Sequence, residues 1–475
     1  MFFFSWKKVL IPIMAVLLAA MWGVLPAFAG SATPNTADES SLKLMSEICP
    51  AFSGRKAPAT TAPAIPTDRP ITLEEAINYA LAKHPRIRAA ESNVTVSKFQ
   101  VLQSEATFWP QVAFQATRDY IWYERAVRFG PSPVSISGNY IANNFTFSGN
   151  WTVFDFGRTW YNMKTSKALE KAVQEDLSTT EQGVAYDVMD AYFNLLKAQS
   201  LVKVAQETLD DANGHLKQAQ AFFDVGVKPK YDVTQAEVQV NNAKVQLIQA
   251  EDAVTAARIN LNTRLAIDPM APTAVVDVPE LETLGNTLNG YLQEALVNRP
   301  ELIGLQDRLK SSEMNVRAQL AGYLPSLSVK ASYSWYKEDH TDFLNNSDAL
   351  LEADVPIFEG FLTTSLVGQA RASVIAAKYK IEDTKQDILN QVSQAYLAIQ
   401  DAKASYEGLQ ATVKSARENL DIAQGRYEAG VGAILDVTDA QVSLTSAEAN
   451  LAQAFYNYHL AYSRLLRSTG KNPKK

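Results

Sequence analysis

Four stretches of this chain alternate apolar and polar residues, and two far longer stretches carry a helical pattern instead. In 326–335, Leu327, Val329, Ala331, Tyr333 and Trp335 take one parity, against Ser326, Ser328, Lys330, Ser332 and Ser334. Phe145, Phe147, Trp151 and Val153 oppose Thr146, Ser148, Asn150 and Thr152, while Ala349, Leu351, Ala353, Val355 and Ile357 oppose Glu352 and Asp354. Val112 and Phe114 open a fourth case, with Tyr120 and Trp122 near its far end. Successive side chains of a strand point to opposite faces, so each stretch predicts a strand with one apolar face. Arg118 falls on the apolar parity, which predicts a bulge, an early end to the strand, or an Arg118 lifted to the edge of an apolar band.

The pattern is written twice. Residues 71–110 resemble 286–325 at an offset of 215 (Leu81/Leu296, Pro85/Pro300, Pro110/Pro325), and further along the offset becomes 204. There Phe154 matches Phe358, Ala191-Tyr192 matches Ala395-Tyr396, and Asp232-Val233-Thr234 matches Asp436-Val437-Thr438. A constant offset over such a span requires helices of equal length in the two halves. The whole length difference falls between Pro110 and Phe154, which predicts an exposed, length-tolerant loop at about 126–144 and a shorter one at 337–347.

Each repeat has the same order. A short helix (Leu73 to Lys83 in the first) ends before a proline, which disfavours helix in the residue ahead of it. A helix of about 23 residues follows, then two strands, then a proline-free helical pattern from about Arg158 to Phe223, or from Phe361 to Tyr427. At about 1.5 Å per residue each of these long helices spans roughly 100 Å. After a turn a helix of about 34 residues returns, so the two shorter helices, end to end, match the long one along most of its length. The resulting layout is 71–268 for repeat one (strands within 111–157, helical hairpin 158–267), a linker at 269–285, and 286–469 for repeat two (strands within 326–358, hairpin 361–468), with a tail at 470–475.

Composition narrows the class. A hydrophobic fraction of 47% is a globular level, and no apolar run long enough for a membrane helix follows the N-terminus. A formal charge of −7 argues against a nucleic-acid partner. Lys7 and Lys8 precede an apolar run and then Ala27-Phe28-Ala29, the order of a secretory signal peptide at 1–29. Residues 30–70 read as a flexible leader rich in Ala, Pro, Thr and Ser. Cys49 is the one cysteine, so no intrachain disulfide forms, and Glu47-Ile48 before it do not fit a lipidation signal. Alternating strands suit a half-buried soluble sheet as well as an outer-membrane barrel. Edges separate the two: four strands cannot close, lipid tolerates no open edge, and three copies would supply twelve strands.

Several residues then carry a family resemblance: Pro356-Ile357-Phe358-Glu359-Gly360 at the end of the fourth strand, and Arg426-Tyr427-x-x-Gly430-Val431 followed by Asp436-Val437-x-Asp439-Ala440. In this order, on a twice-repeated helix–strand–strand–helix–helix unit, the chain resembles the TolC family of outer-membrane efflux proteins over roughly 70–468. The resemblance implies an α+β membrane protein. It implies a homotrimer with a twelve-stranded β-barrel in the outer-membrane lipid, a collar, and a long α-helical barrel reaching into the periplasm. It implies passive export of drugs, metals or proteins, together with a periplasmic adaptor and an inner-membrane pump of RND or ABC type. Adaptor contact falls on the turns Gly226-Val227 and Gly430-Val431, and gating positions fall on Asp232, Tyr427, Asp436 and Asp439. The chain departs from the pattern at Gly432, where one well-known member has a gating arginine; Lys228 and Lys230 are candidates to replace that cation.

No enzyme is expected. His84, His215, His340 and His459 are scattered, and no phosphate loop, Cys/His metal spacing or cofactor motif occurs. A soluble periplasmic coiled-coil adaptor or scaffold is the competing class. It explains the helices and the signal peptide but not four strands with aromatic-rich single faces.

Overall fold

A computed structural model describes residues 69–129, 132–279, 285, 287–338 and 342–471. The expected signal peptide, most of the leader and Cys49 lie outside the described residues. Helix α1 (Leu73–Lys83) and α2 (Pro85–Ala106) lead to β1 (Gln111–Phe129) and β2 (Ser132–Phe154), then to the long α3 (Arg158–Asp224) and α4 (Lys230–Leu265). Repeat two follows with α5 (Leu288–Asn298), α6 (Pro300–Leu320), β3 (Ser326–Glu338), β4 (Leu344–Asp354), α7 (Leu362–Glu428) and α8 (Ile434–Ser468). Thr72 opens α1 with a reciprocal capping box to Glu75, and Pro85 and Pro300 occupy the first turns of α2 and α6, where a missing N–H costs nothing.

The four strands form one antiparallel sheet in the order β1-β2-β3-β4, which leaves β1 and β4 with unpaired edges. Register places Phe114 beside Phe147 and Phe147 beside Tyr333, and Trp151 beside Val329 and Val329 beside Leu351, so the apolar parities of all four strands share one face. The rings on it touch, Phe114 to Phe147 at 4.7 Å and Tyr333 to Trp335 at 4.5 Å. Among the described residues none covers this face: Val112 is 69% exposed, Trp122 77% and Leu351 66%.

Two of the three readings of Arg118 fall away here, and one expectation is corrected. β1 neither bulges nor stops at Arg118, which pairs with Asn143 in an unbroken ladder; the irregularity lies at Thr152/Phe154 of β2. Nor do 126–144 form a loop, because the β1–β2 ladder continues to the pair Phe129–Ser132. The extra residues lengthen a hairpin. Backbone pairing needs no continuous apolar stripe: Val134 and Ile136 alternate with Ser135 and Ser137, but on the parity opposite to Phe145 and Phe147, so the alternation of β2 does not run on unbroken through the hairpin. Close packing marks the extension: a Cβ on Gly138 would lie 2.9 Å from the Tyr123 hydroxyl across the ladder. β3 and β4 are shorter, and the fourth strand ends at Asp354, ahead of Val355 and Ile357.

Strand passes to long helix through a pair of left-handed residues in each repeat, Phe156-Gly157 (φ 51° and 87°) and Gly360-Phe361 (φ 60° and 67°). Glycine relieves one member of each pair, and a phenylalanine bears the other at a cost of about 1–2 kcal/mol. Asp155 offsets part of it by accepting from the Gly157 and Thr159 N–H groups at 3.1 and 2.8 Å.

The helices are laid out at coiled-coil spacing. Ala191, Ala198, Ala205, Ala212 and Ala219 on α3 recur every seven residues, and all are buried. On α4, Val233, Val240 and Leu261 fall on one heptad position and Ala236 and Ala243 on another; α8 repeats this with Val437, Leu444, Tyr458 and Leu465 and with Ala440, Ala447, Ala454 and Ala461. A strict seven-residue period keeps the seam facing its partner as a left-handed supercoil, and alanine lets the axes approach closely. α2 and α4 both pack along α3, and α6 and α8 along α7. At mid-length a larger core gathers Ile71, Tyr186, Tyr192, Phe193, Leu195, Leu261 and Leu265. The Tyr192 hydroxyl donates to the Val276 carbonyl at 2.6 Å, so the first part of the 269–285 linker is bound into this core. Ile71 also bridges to Val275 in parallel.

Candidate functional site: the hairpin tips

At the end of the long helices farthest from the sheet, two turns join α3 to α4 and α7 to α8. Gly226 (φ 76°) and Gly430 (φ 78°) end α3 and α7 in the left-handed region that glycine tolerates. The following amides close the turns: Val227 N–H donates to Phe222 O at 2.9 Å and Val431 N–H to Arg426 O at 3.1 Å. Val227 and Val431 are then left 62% and 73% exposed, two apolar side chains presented at the tip.

The hairpins are clasped to each other by an asymmetric set of contacts. The Tyr427 hydroxyl on α7 donates to Asp232 Oδ2 on α4 at 3.1 Å, and both residues are buried. Burial, then the Asp232 charge, pushes the Tyr427 hydroxyl up to about 12, so it remains a donor throughout the physiological range. The Phe222 ring meets the Tyr427 ring edge-on at 5.7 Å. On the other side the Lys228 ammonium stands 4.7 Å from the centre of the Tyr427 ring and donates to the Gly432 carbonyl at 3.2 Å. Of the two candidate lysines, Lys228 joins the hairpins, whereas the Lys230 side chain is exposed. Further up, Gln218 donates to Glu428 at 3.2 Å and Gln441 to Asp211 at 3.1 Å, tying α3 to both helices of the second hairpin.

The pseudo-twofold repeat breaks at this point. The counterpart of Tyr427 in repeat one is Phe223, which has no hydroxyl, and the counterpart of Asp232 is Asp436, which is exposed. Asp436 accepts from the Ala433 N–H at 3.4 Å as a helix cap, and Asp439 lies one turn on, also exposed. The four positions expected to gate thus divide into a buried pair, Asp232 with Tyr427, and an exposed pair, Asp436 with Asp439. Gly432 has a steric cause: a Cβ there would lie 2.9 Å from the Tyr427 N and 3.0 Å from the Arg426 carbonyl carbon. This turn has no room for a side chain at 432 without a shift of its backbone, and the cation beside it is Lys228 of the facing hairpin.

Among the described residues no group of His, Cys, Asp and Glu is placed to hold a metal ion, and no helix is long and apolar enough to cross a membrane. The Ala heptads and Lys228 are features the sequence reading missed or left open. The seven-residue alanine spacing could have been found by counting; the position of Lys228 could not.

Comparison with known proteins places this arrangement. The sequence profile described as "Outer membrane efflux protein" matches residues 76–266 and 291–471, one match per repeat. Protein CyaE of Bordetella pertussis is 26% identical over 429 residues, covering 88% of this chain and 87% of the relative. Outer membrane protein TolC of Escherichia coli is 24% identical over 415 residues, covering 81% and 79%. The outer-membrane channel OprN superposes with a TM-score of 0.73 at 20% identity over 85% of this chain and 91% of that one, and CusC with 0.74 at 17% over 84% and 92%. With two profile matches spanning both repeats and a TolC-like channel fold, the chain belongs to the outer membrane efflux protein family and is an outer-membrane exit duct that extends into the periplasm.

Proposed function

We propose that three copies of this chain close one barrel and one helical duct, and that the hairpin tips form its periplasmic gate. The sheet carries this reading. It has one exposed apolar face and two unpaired edges, at β1 and β4. An edge in lipid leaves backbone groups with no hydrogen-bond partner, so β1 of one copy pairing with β4 of the next satisfies both at once. Three such sheets make a twelve-stranded barrel, within the range of outer-membrane barrels. Exposed apolar positions on the helices, among them Phe99, Val245, Ile375 and Val442, supply surface for the same neighbours.

On this reading the duct is passive, and selection belongs to an inner-membrane pump of RND or ABC type coupled through a periplasmic adaptor. The exposed Val227 and Val431 beside Gly226 and Gly430 are the adaptor contact. The alkaline protease secretion protein AprF of Pseudomonas aeruginosa stands among its relatives beside efflux pump outer membrane proteins, so protein secretion and efflux both fall within the reading. Purified protein in detergent should sediment as a trimer that survives unheated SDS electrophoresis. A monomer that needs no detergent overturns the proposal and favours a soluble adaptor.

A further inference from the structure

A second comparison between the repeats concerns a cavity of about 620 Å³ where the start of α6 and the end of α8 meet α3 and α7. Three arginines line it, Arg299, Arg464 and Arg467, with Glu301, Gln391 and Gln394. Arg299 is the N-cap of α6, and its side chain is only 14% exposed. It donates to Gln391 Oε1 at 2.7 Å and to Glu301 Oε2 at 3.0 Å. Arg464 and Arg467, one turn apart on α8, have no carboxylate within ion-pair distance among the described residues. Asp190 of α3 faces them without closing on either; burial raises its carboxyl, against the pull of these two arginines.

Repeat one shows what this place normally contains. At the matching positions Asp187 replaces Gln391 and Asp190 replaces Gln394, while Arg86 and Arg264 stand where repeat two has Glu301 and Ser468. There Asp187 is gripped by Arg86 at 3.1 Å and by Arg264 at 3.5 Å, so the carboxylate between two guanidinium groups is built into the chain. Repeat two has collected three guanidinium groups against Glu301 in the lining and the more distant Asp190 of α3, and has exchanged the carboxylates at positions 391 and 394 for amides. Amides donate and accept but carry no charge, so a positive cavity remains with polar walls and a helix N-terminus on its rim.

We propose that this cavity binds a small polyanion of the phosphate or carboxylate class, which takes the place that the Asp187 carboxylate holds in repeat one. Guanidinium forks match the edges of such oxyanions; Arg299 stands on the enclosed side of the cavity, where salt screens it less, and Arg464 and Arg467 are exposed at its mouth. A bound anion links α6, α7 and α8 at mid-length, away from the tip.

Pyrophosphate is a suitable probe, titrated calorimetrically into the purified full chain in detergent against chloride of matched ionic strength. Saturable binding to the wild type is expected, with affinity at least tenfold lower in the double variant Arg464→Gln, Arg467→Gln. Gln391→Asp restores the carboxylate of repeat one and should also weaken binding at least tenfold, while melting at a temperature no lower than the anion-free wild type. This variant exchanges the neutral acceptor of Arg299 for a charged one, and its melting temperature separates a loss of binding from a loss of fold. Absence of saturable binding in the wild type, or equal affinity in all three proteins, overturns the proposal.

Discussion

If the hairpin tips are the gate proposed above, removing one hydroxyl should loosen them. Tyr427→Phe keeps the ring, its edge contact with Phe222 and the Lys228 ammonium over its face, and deletes only the 3.1 Å bond to Asp232. A hydrogen bond to a charged acceptor contributes about 1.5–3 kcal/mol, and its loss leaves the Asp232 carboxylate buried at 6% exposure without that donor. About 1.4 kcal/mol is a factor of ten in an equilibrium, so each chain's hairpins should separate roughly ten- to a hundredfold more often. No counterpart compensates, because repeat one offers Phe223 at the matching position. The assay is single-channel conductance in planar bilayers, where Tyr427→Phe should raise the open fraction and the wild type should stay flat between pH 6 and 9. Tyr192→Phe is the control. It also loses buried hydroxyl bonds, to Ile71 O and Val276 O, but in the mid-length core, so it should lower stability without opening the channel. Unchanged conductance in Tyr427→Phe, or an equal rise in Tyr192→Phe, refutes the clasp.

Three further outcomes are expected. His459 is buried against Phe193 and Phe455, and burial, only partly opposed by the Asp277 charge, lowers its imidazole to about 4. The unfolded chain therefore protonates before the folded one. Stability should fall by about 3 kcal/mol as pH drops from 6.5 to 4, and His459→Phe should abolish that slope in urea titrations. A peptide tag inserted between Phe129 and Ser132, at the far end of the longer ladder, should be accessible on intact cells while export continues; protection until the outer membrane is broken reverses the orientation. Asp436 and Asp439 from three copies would ring one axis, so trivalent cations on the periplasmic side should block current, and Asp436→Asn with Asp439→Asn should abolish the block; equal block in both places the cation elsewhere.

By itself the sequence determined the elements that rest on local periodicity. Helix lengths follow from proline-free helical pattern, the strand faces from alternation, and the duplication from two constant offsets. Each of these is a property of a residue and its near neighbours along the chain. Family membership was legible for the same reason, since its motifs lie on those elements in fixed order. The tertiary structure decided what depends on backbone alone or on partners distant in sequence. Residues 126–129 and 132–144 pair as strand because ladder hydrogen bonds are indifferent to side chains, although the apolar parity of β2 changes between Ile136 and Phe145. Asp232 and Asp436 occupy matching sequence positions, yet one is buried under a tyrosine and the other caps a helix in the open. Lys228 could be assigned only once the facing hairpin brought Tyr427 and the Gly432 carbonyl to it across about two hundred residues of chain. The repeats agree where local folding dictates them, and they diverge where two hairpins must meet, because a contact surface has no reason to obey the symmetry of the segments that build it.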